Sequence, residues 1–177
     1  MLLPESTVGY AATAGWEHFA GVAPLQLERF ELDDAALSTL RLEVSVATAA
    51  FSTGNIFRDL NARRVAFESH LYPDARYVAT GVRTRAPNGI AATGQAPGLP
   101  DGSQREVTLT GALTLHGVRR PLEVTVTVQR QGQLVEVAGR FTVELDTFEM
   151  RAPSILGRSV DQLVTVEIDA AIRLETP

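Results

Sequence analysis

Apolar and polar residues alternate along most of this chain, and a period of two marks β-strands with one dry and one wet face. Leu40, Leu42, Val44 and Val46 point one way while Arg41, Glu43 and Ser45 point the other. Val107, Leu109, Gly111, Leu113 and Leu115 repeat the pattern against Thr108, Thr110, Ala112 and Thr114. Leu122, Val124, Val126 and Val128 follow, then Val135, Val137, Gly139, Phe141, Val143 and Leu145, and finally Val164, Val166, Ile168, Ala170 and Ile172. Thr7 to Ala12 and Gly15 to Val22 are shorter β-like runs, and Ala75 to Thr84 sets Tyr77, Ala79 and Gly81 opposite Val78, Thr80 and Val82. The run from Leu25 to Leu32 alternates and then slips by one, which predicts a bulge. Asp33-Asp34, His116-Gly117 and Gln131-Gly132 read as turns, and Ala86 to Gly102, dense in Gly and Pro, reads as a long surface loop.

One stretch breaks the alternation. Between Phe51 and Tyr77, the residues Ile56, Leu60, Arg63/Arg64 and Phe67 fall near a 3.6-residue spacing. They predict a short helix beginning at about Leu60, with Asp59 or Asn61 as its starter and Pro73 as its limit. A lone helix among strands covers the open end or edge of a sheet.

Consecutive strands joined by short turns favour antiparallel pairing. About eight strands with one apolar face each bury those faces by rolling into a closed barrel, with a two-sheet sandwich as the competing architecture. The fold class is therefore all-β, a single antiparallel barrel domain over 1–177 with one short covering helix. Aromatic residues are only 6% of the chain, so the inward set is mostly Leu, Val, Ile, Ala and Gly, small enough to leave room for a ligand. Alternation nominates Leu42, Val44, Val46, Tyr77, Leu109, Leu113, Val126, Phe141 and Val143 as cavity lining, with Phe57, Leu60 and Phe67 from the helical stretch. Trp16, Phe19, Phe51, Phe57 and Phe67 also read as core plugs closing one end.

Composition narrows the function. A hydrophobic fraction of 45% with 21% charged residues argues against disorder. A net charge of −5 without a basic block argues against nucleic acid. The absence of cysteine removes disulfides, thiol nucleophiles and zinc–thiolate sites. No apolar run reaches the roughly 20 residues of a spanning helix, and the first ten residues lack the basic and apolar regions of a secretory signal. The expected location is cytoplasmic, or periplasmic or secreted if a leader has been removed.

Candidate chemistry is sparse. His18, His70 and His116 are scattered, with no metal-ligand spacing. Ser52, Ser69, Ser103, Ser154 and Ser159 stand in no nucleophile elbow, so neither a catalytic residue, a cofactor nor a metal is expected. The pair Arg58-Asp59 has two readings: a headgroup contact at a cavity mouth, or a pin at the helix start. Arg63-Arg64 reads first as a solvated helix face, with a headgroup or anionic-surface contact as the second reading.

Leu113-Thr-Leu-His-Gly-Val-Arg-Arg-Pro-Leu resembles the L-T-x-H-G-V-T-R-P-V hairpin of the YceI-like, polyisoprenoid-binding proteins. Ser52-Thr53, Arg58-Asp59, Phe67, Tyr72-Pro73, Thr147-Phe-Glu-Met and the strand Val164 to Ala170 follow the family's order of landmarks, so the similarity spans roughly Gly15 to Ile172. Asn61 replaces the histidine of the family's R-D-x-H-L, and Val65-Ala-Phe-Glu replaces D-F-F-D. The resemblance implies a lipocalin-like barrel, commonly dimeric, holding and transporting a polyisoprenoid, an isoprenoid quinone or a fatty-acid or amide-like lipid. Two other readings compete with this carrier: a packed barrel acting through its rim loops as a structural or interaction protein, and a hydrolase using a polar group in the cavity.

Overall fold

The computed structural model describes residues 1–33, 36–85, 91–92, 99–155 and 157–174. In chain order the elements are β1 (Thr7–Ala14), β2 (Glu17–Pro24), β3 (Gln26–Asp33), β4 (Ala36–Ala47), α1 (Ile56–Asn61), β5 (Asp74–Arg85), β6 (Ala91–Ala92), β7 (Gln104–Leu115), β8 (Val118–Gln131), β9 (Leu134–Glu144), β10 (Ser154–Ile155), β11 (Arg158–Ser159) and β12 (Leu163–Arg173). All long strands belong to one curled antiparallel sheet of order β2-β1-β12-β9-β8-β7-β5-β4-β3, wrapped as a half-barrel. This is the barrel expected from alternation rather than the sandwich, because the long strands are hydrogen-bonded in one continuous curled sheet and not in two packed ones.

Register shows how far the pattern holds. Val107↔Val126, Leu109↔Val124 and Gly111↔Leu122 pair the dry faces of β7 and β8, and Val143↔Val164 and Val137↔Ala170 do so for β9 and β12. The expected slip in β3 is a bulge between Leu27 and Arg29, after which Phe30 rather than Arg29 packs inward beside Leu40 and Leu42.

A second bulge lies in β5 between Ala79 and Gly81. It corrects the reading of Gly81 and Val82. Val82 pairs with Leu109 and joins the inner cluster of Leu40, Ala79 and Val124, while Thr84 pairs with Val107 and is buried. The extra residue flips every side chain beyond it.

The helix is also earlier than expected. It starts at Ile56, because the Asn55 side chain accepts hydrogen bonds from the Phe57 and Arg58 backbone N–H groups at 3.1 Å each. Gly54, at φ +75°, makes the turn that delivers Asn55 to this position. A π-helical turn, Ala62–Ala66, extends it. Just before it, Val22 and Ser52 exchange both backbone hydrogen bonds at 2.9 and 3.0 Å, so this segment covers the free edge of β2.

At the turn of the β7–β8 hairpin, His116 (φ 53°) and Gly117 (φ 74°) are both left-handed. The turn lets the His116 ring tuck against Tyr72, with ring centroids 4.2 Å apart. Of the Asp33-Asp34 turn only Asp33, the end of β3, is described, and most of Ala86–Gly102 lies outside the described residues. Leu99, near the end of that stretch, is buried against Val135 and Ile172.

Candidate functional site

Inside the half-barrel lies a cavity of about 210 Å³. On β12 its lining runs from Val164 to Ile172, a length of about 26 Å at the rise of an extended strand. The space is thus long and narrow. The interior is neither filled nor wide.

One glycine of β7 makes room for a lining side chain. A Cβ on Gly111 would collide with the Val78 carbonyl oxygen and lie 2.8 Å from the Tyr77 hydroxyl, so glycine there lets the Tyr77 ring cross to β7 and β8. The Tyr77 hydroxyl donates between the Leu109 and Leu122 carbonyl oxygens, 3.2 Å from each. Burial first, and the Glu123 carboxylate second, push its pKa up to about 12.

The helix end is aromatic. Tyr10 packs edge-on against Phe51 at 5.3 Å and Phe67 at 6.2 Å, and the Phe51 and Phe67 rings stack at 5.3 Å. Burial, and then the Asp59 carboxylate, raise the Tyr10 pKa to about 12 against the opposing Arg58 guanidinium. Met150, Pro153 and Val160, from the irregular connection between β9 and β12, complete this end of the lining.

Of the residues nominated from sequence, Leu42, Val44, Val46, Phe67, Tyr77, Leu109, Leu113, Val126, Phe141 and Val143 line the cavity together, as does Arg58. Phe57 and Leu60 do not, and they correct the sequence reading: their side chains face outward, 81% and 45% exposed. The cause is the tie of the Asp59 carboxylate to Ser52 and Thr53, which turns Asp59, Ala62 and Ala66 to the inner side instead. Trp16 is no plug either. It sits at the tip of the β1–β2 turn, 74% exposed, with the Arg158 guanidinium 3.1 Å from its ring centroid. Leu25, Leu27, Met150 and Val160 were missed, since they come from a bulged strand and from segments without alternation.

Arg58 and Asp59 part company. The Asp59 carboxylate accepts from the Thr53 backbone N–H at 2.8 Å, the Thr53 hydroxyl at 2.6 Å and the Ser52 hydroxyl at 3.0 Å. Burial pushes its pKa up, but these hydrogen bonds and the Arg63 charge outweigh it and hold the carboxyl below its ordinary 3.8. Asp59 is therefore a pin for the helix. Arg58 spans the cavity end: its guanidinium lies 4.9 Å from the Phe19 ring centroid and 3.0 Å from Glu17 Oε1, and its buried Nε has no hydrogen-bond partner among the described residues. Asn61 joins it in the lining and donates to the Ser154 carbonyl oxygen at 3.1 Å. The remaining polar lining residue with a side-chain oxygen, Ser45, donates to Glu28 Oε1 at 2.6 Å.

The histidines are separate. His18 Nδ1 lies 2.9 Å from the Thr13 hydroxyl, His116 Nε2 lies 2.8 Å from Glu68 Oε2, and His70 is exposed. Among the described residues no group of three or more His, Cys, Asp or Glu could hold a metal ion.

A family model described as the YceI-like domain matches residues 5–172. A UPF0312 protein of Pseudomonas syringae pv. tomato is 26% identical over 145 residues, 78% of this chain and 67% of that protein. Among solved structures, BcnA of Burkholderia cenocepacia superposes with a TM-score of 0.71 at 18% identity over 95% of this chain and 96% of its own. A polyisoprenoid binding domain from Saccharophagus degradans, implicated in plant cell wall breakdown, gives 0.72 at 14% identity over 97% and 95%.

Proposed function

The chain belongs to the YceI-like domain family, and from that premise we propose that it is a non-catalytic carrier of one long apolar chain held inside the half-barrel. The observation that carries this reading is the shape and chemistry of the cavity: about 26 Å along β12, narrow, and lined almost wholly by aliphatic and aromatic side chains. A packed barrel would have no such void. An enzyme would bring polar groups together in it, whereas the Tyr77, Ser45 and Asn61 side chains here are turned to protein partners.

Magnitudes assign the roles. Each buried methylene contributes about 0.8 kcal/mol, so ten contribute roughly 8 kcal/mol before the cost of ordering the chain. A hydrogen bond at the end adds about 1 kcal/mol. Chain length therefore governs affinity, and Arg58 governs which end enters first. A polyisoprenoid, an isoprenoid quinone or a fatty-acid or amide-like lipid has the required form. The likeness to the Saccharophagus degradans polyisoprenoid binding domain supports the same class.

Extraction of the purified protein with organic solvent, followed by mass spectrometry, tests the proposal. A stoichiometric long-chain species is expected. An empty extract, from protein that also fails to take up an added apolar fluorescent probe, overturns it.

A further inference from the structure

The covering helix is amphipathic in the wrong sense for a helix that merely closes a barrel. Its inner side carries Asp59, Ala62 and Ala66, while Ile56, Phe57 and Leu60 face solvent, with Ile56 67% and Phe57 81% exposed. A water-facing helix side is ordinarily polar. Rotation cannot bury these residues, because the Asn55 cap and the bonds from Ser52 and Thr53 to Asp59 fix the helix about its axis. Trp16 sits at the tip of the β1–β2 turn, and the next residue, Glu17, pairs with Arg58 of this helix.

Charge adds to the apolar rim. The segment from Ile56 to Ala66 carries Arg58, Arg63 and Arg64 against one acid, Asp59, which is buried and hydrogen-bonded. This occurs in a chain of net charge −5. Arg64 is exposed and Arg158 lies against the exposed face of Trp16, and neither makes an ion pair among the described residues. The exposed Asp146, Glu149 and Asp161 share the β9–β12 connection with Arg158, and the Asp161 backbone N–H donates to the Thr13 carbonyl oxygen beside the β1–β2 turn, so the arginine excess of the rim is carried by the helix segment.

We propose that this rim, centred on Ile56, Phe57, Leu60 and Trp16 with Arg64 and Arg158, docks on an anionic lipid bilayer surface and opens the cavity end toward it for loading and unloading. Apolar side chains enter the interface while arginines stay at headgroup level, the pattern of a shallow peripheral anchor. The cavity end and the rim share one helix, so cargo passes from bilayer to barrel without crossing water. The proposal rests on the carrier reading above, but the two fail in different experiments.

Trp16 is the only tryptophan of the chain and therefore reports on the rim directly. The full chain is mixed with vesicles of phosphatidylcholine alone and with equal parts phosphatidylglycerol. A blue shift of Trp16 emission, and its quenching by brominated acyl chains, are expected on the anionic vesicles. Phe57→Asp with Leu60→Asp weakens partitioning at least about tenfold, while leaving uptake of an apolar probe added from solvent unchanged. Arg64→Glu weakens binding to anionic vesicles alone. No binding to either vesicle by protein that takes up the probe overturns the docking and leaves the carrier reading intact. A blue shift that grows with protein concentration without vesicles also overturns it, in favour of a second copy covering the rim. Vesicle binding without probe uptake supports docking and removes the carrier.

Discussion

Asp59 holds Thr53 by two groups at once, accepting from its backbone N–H at 2.8 Å and from its hydroxyl at 2.6 Å. This clamp joins the turn before the helix to the helix itself, and the orientation of the whole cavity end depends on it. Asp59→Asn removes acceptor capacity and places an amide where only donors converge, so a loss of about 2 kcal/mol is expected in urea unfolding. The pH dependence has a definite sign. The folded carboxyl titrates below 3.8, so its stabilisation is complete above that value and is lost as pH falls through the lower, folded pKa. Wild type should lose more melting temperature than Asp59→Asn between pH 6 and 3, and equal losses would remove this role.

Most of the lining was legible because alternation survives wherever a strand is regular, as from Val107 to Leu115. It failed where neighbouring residues do not declare a face. Ala79-Thr-Gly-Val82 reads equally well with or without an extra residue, and the bulge between Ala79 and Gly81 chose the register that buries Val82. Asn55 directly before Ile56 signals the helix start, but Asp59 one turn later is an equally good capping residue, and the sequence does not rank the two. Phe57 and Leu60 face outward because Asp59, on the same turn, is tied to Ser52 and Thr53, a tertiary contact that no spacing declares.

Val166 lies in the lining and packs against two buried groups, one of Ala12, Phe148 and Val164 and one of Val8, Val46 and Phe51. Val166→Phe should place a ring in the channel rather than in packed core, so the fold tolerates it at a cost below about 2 kcal/mol. Long-chain ligand in the organic extract should drop at least about tenfold, since roughly 1.4 kcal/mol of lost contact already does this. An unchanged extract would show that the chain takes another path.

His116 serves two needs, a left-handed backbone at φ 53° and a buried ring that touches Tyr72 and Glu68. Asparagine meets the first and not the second. His116→Asn should therefore cost about 1–2 kcal/mol by loss of the ring and its hydrogen bond. His116→Val, which is strained in the same backbone, should cost clearly more. If the two variants are equally stable in denaturant titration, the turn geometry is not what selects the residue.

Tyr10 and Tyr77 stand at different depths of the cavity and both have phenols pushed up to about 12, in each case chiefly by burial. A raised folded pKa means that folding favours the neutral phenol. The stabilisation is complete below the unfolded value of 10.0 and is lost as pH rises from there through about 12. Phenolate absorbance should therefore show two late-ionising tyrosines, and their ionisation should coincide with loss of the fold by circular dichroism. Tyr10→Phe should remove one late step, and Tyr77→Phe should remove the other at the added expense of two carbonyl contacts. A long-chain ligand that fills the channel would shield both phenols from water, so its addition should shift both steps upward. If the two tyrosines ionise near 10 in folded protein, water reaches the channel freely and the dry-cavity account fails.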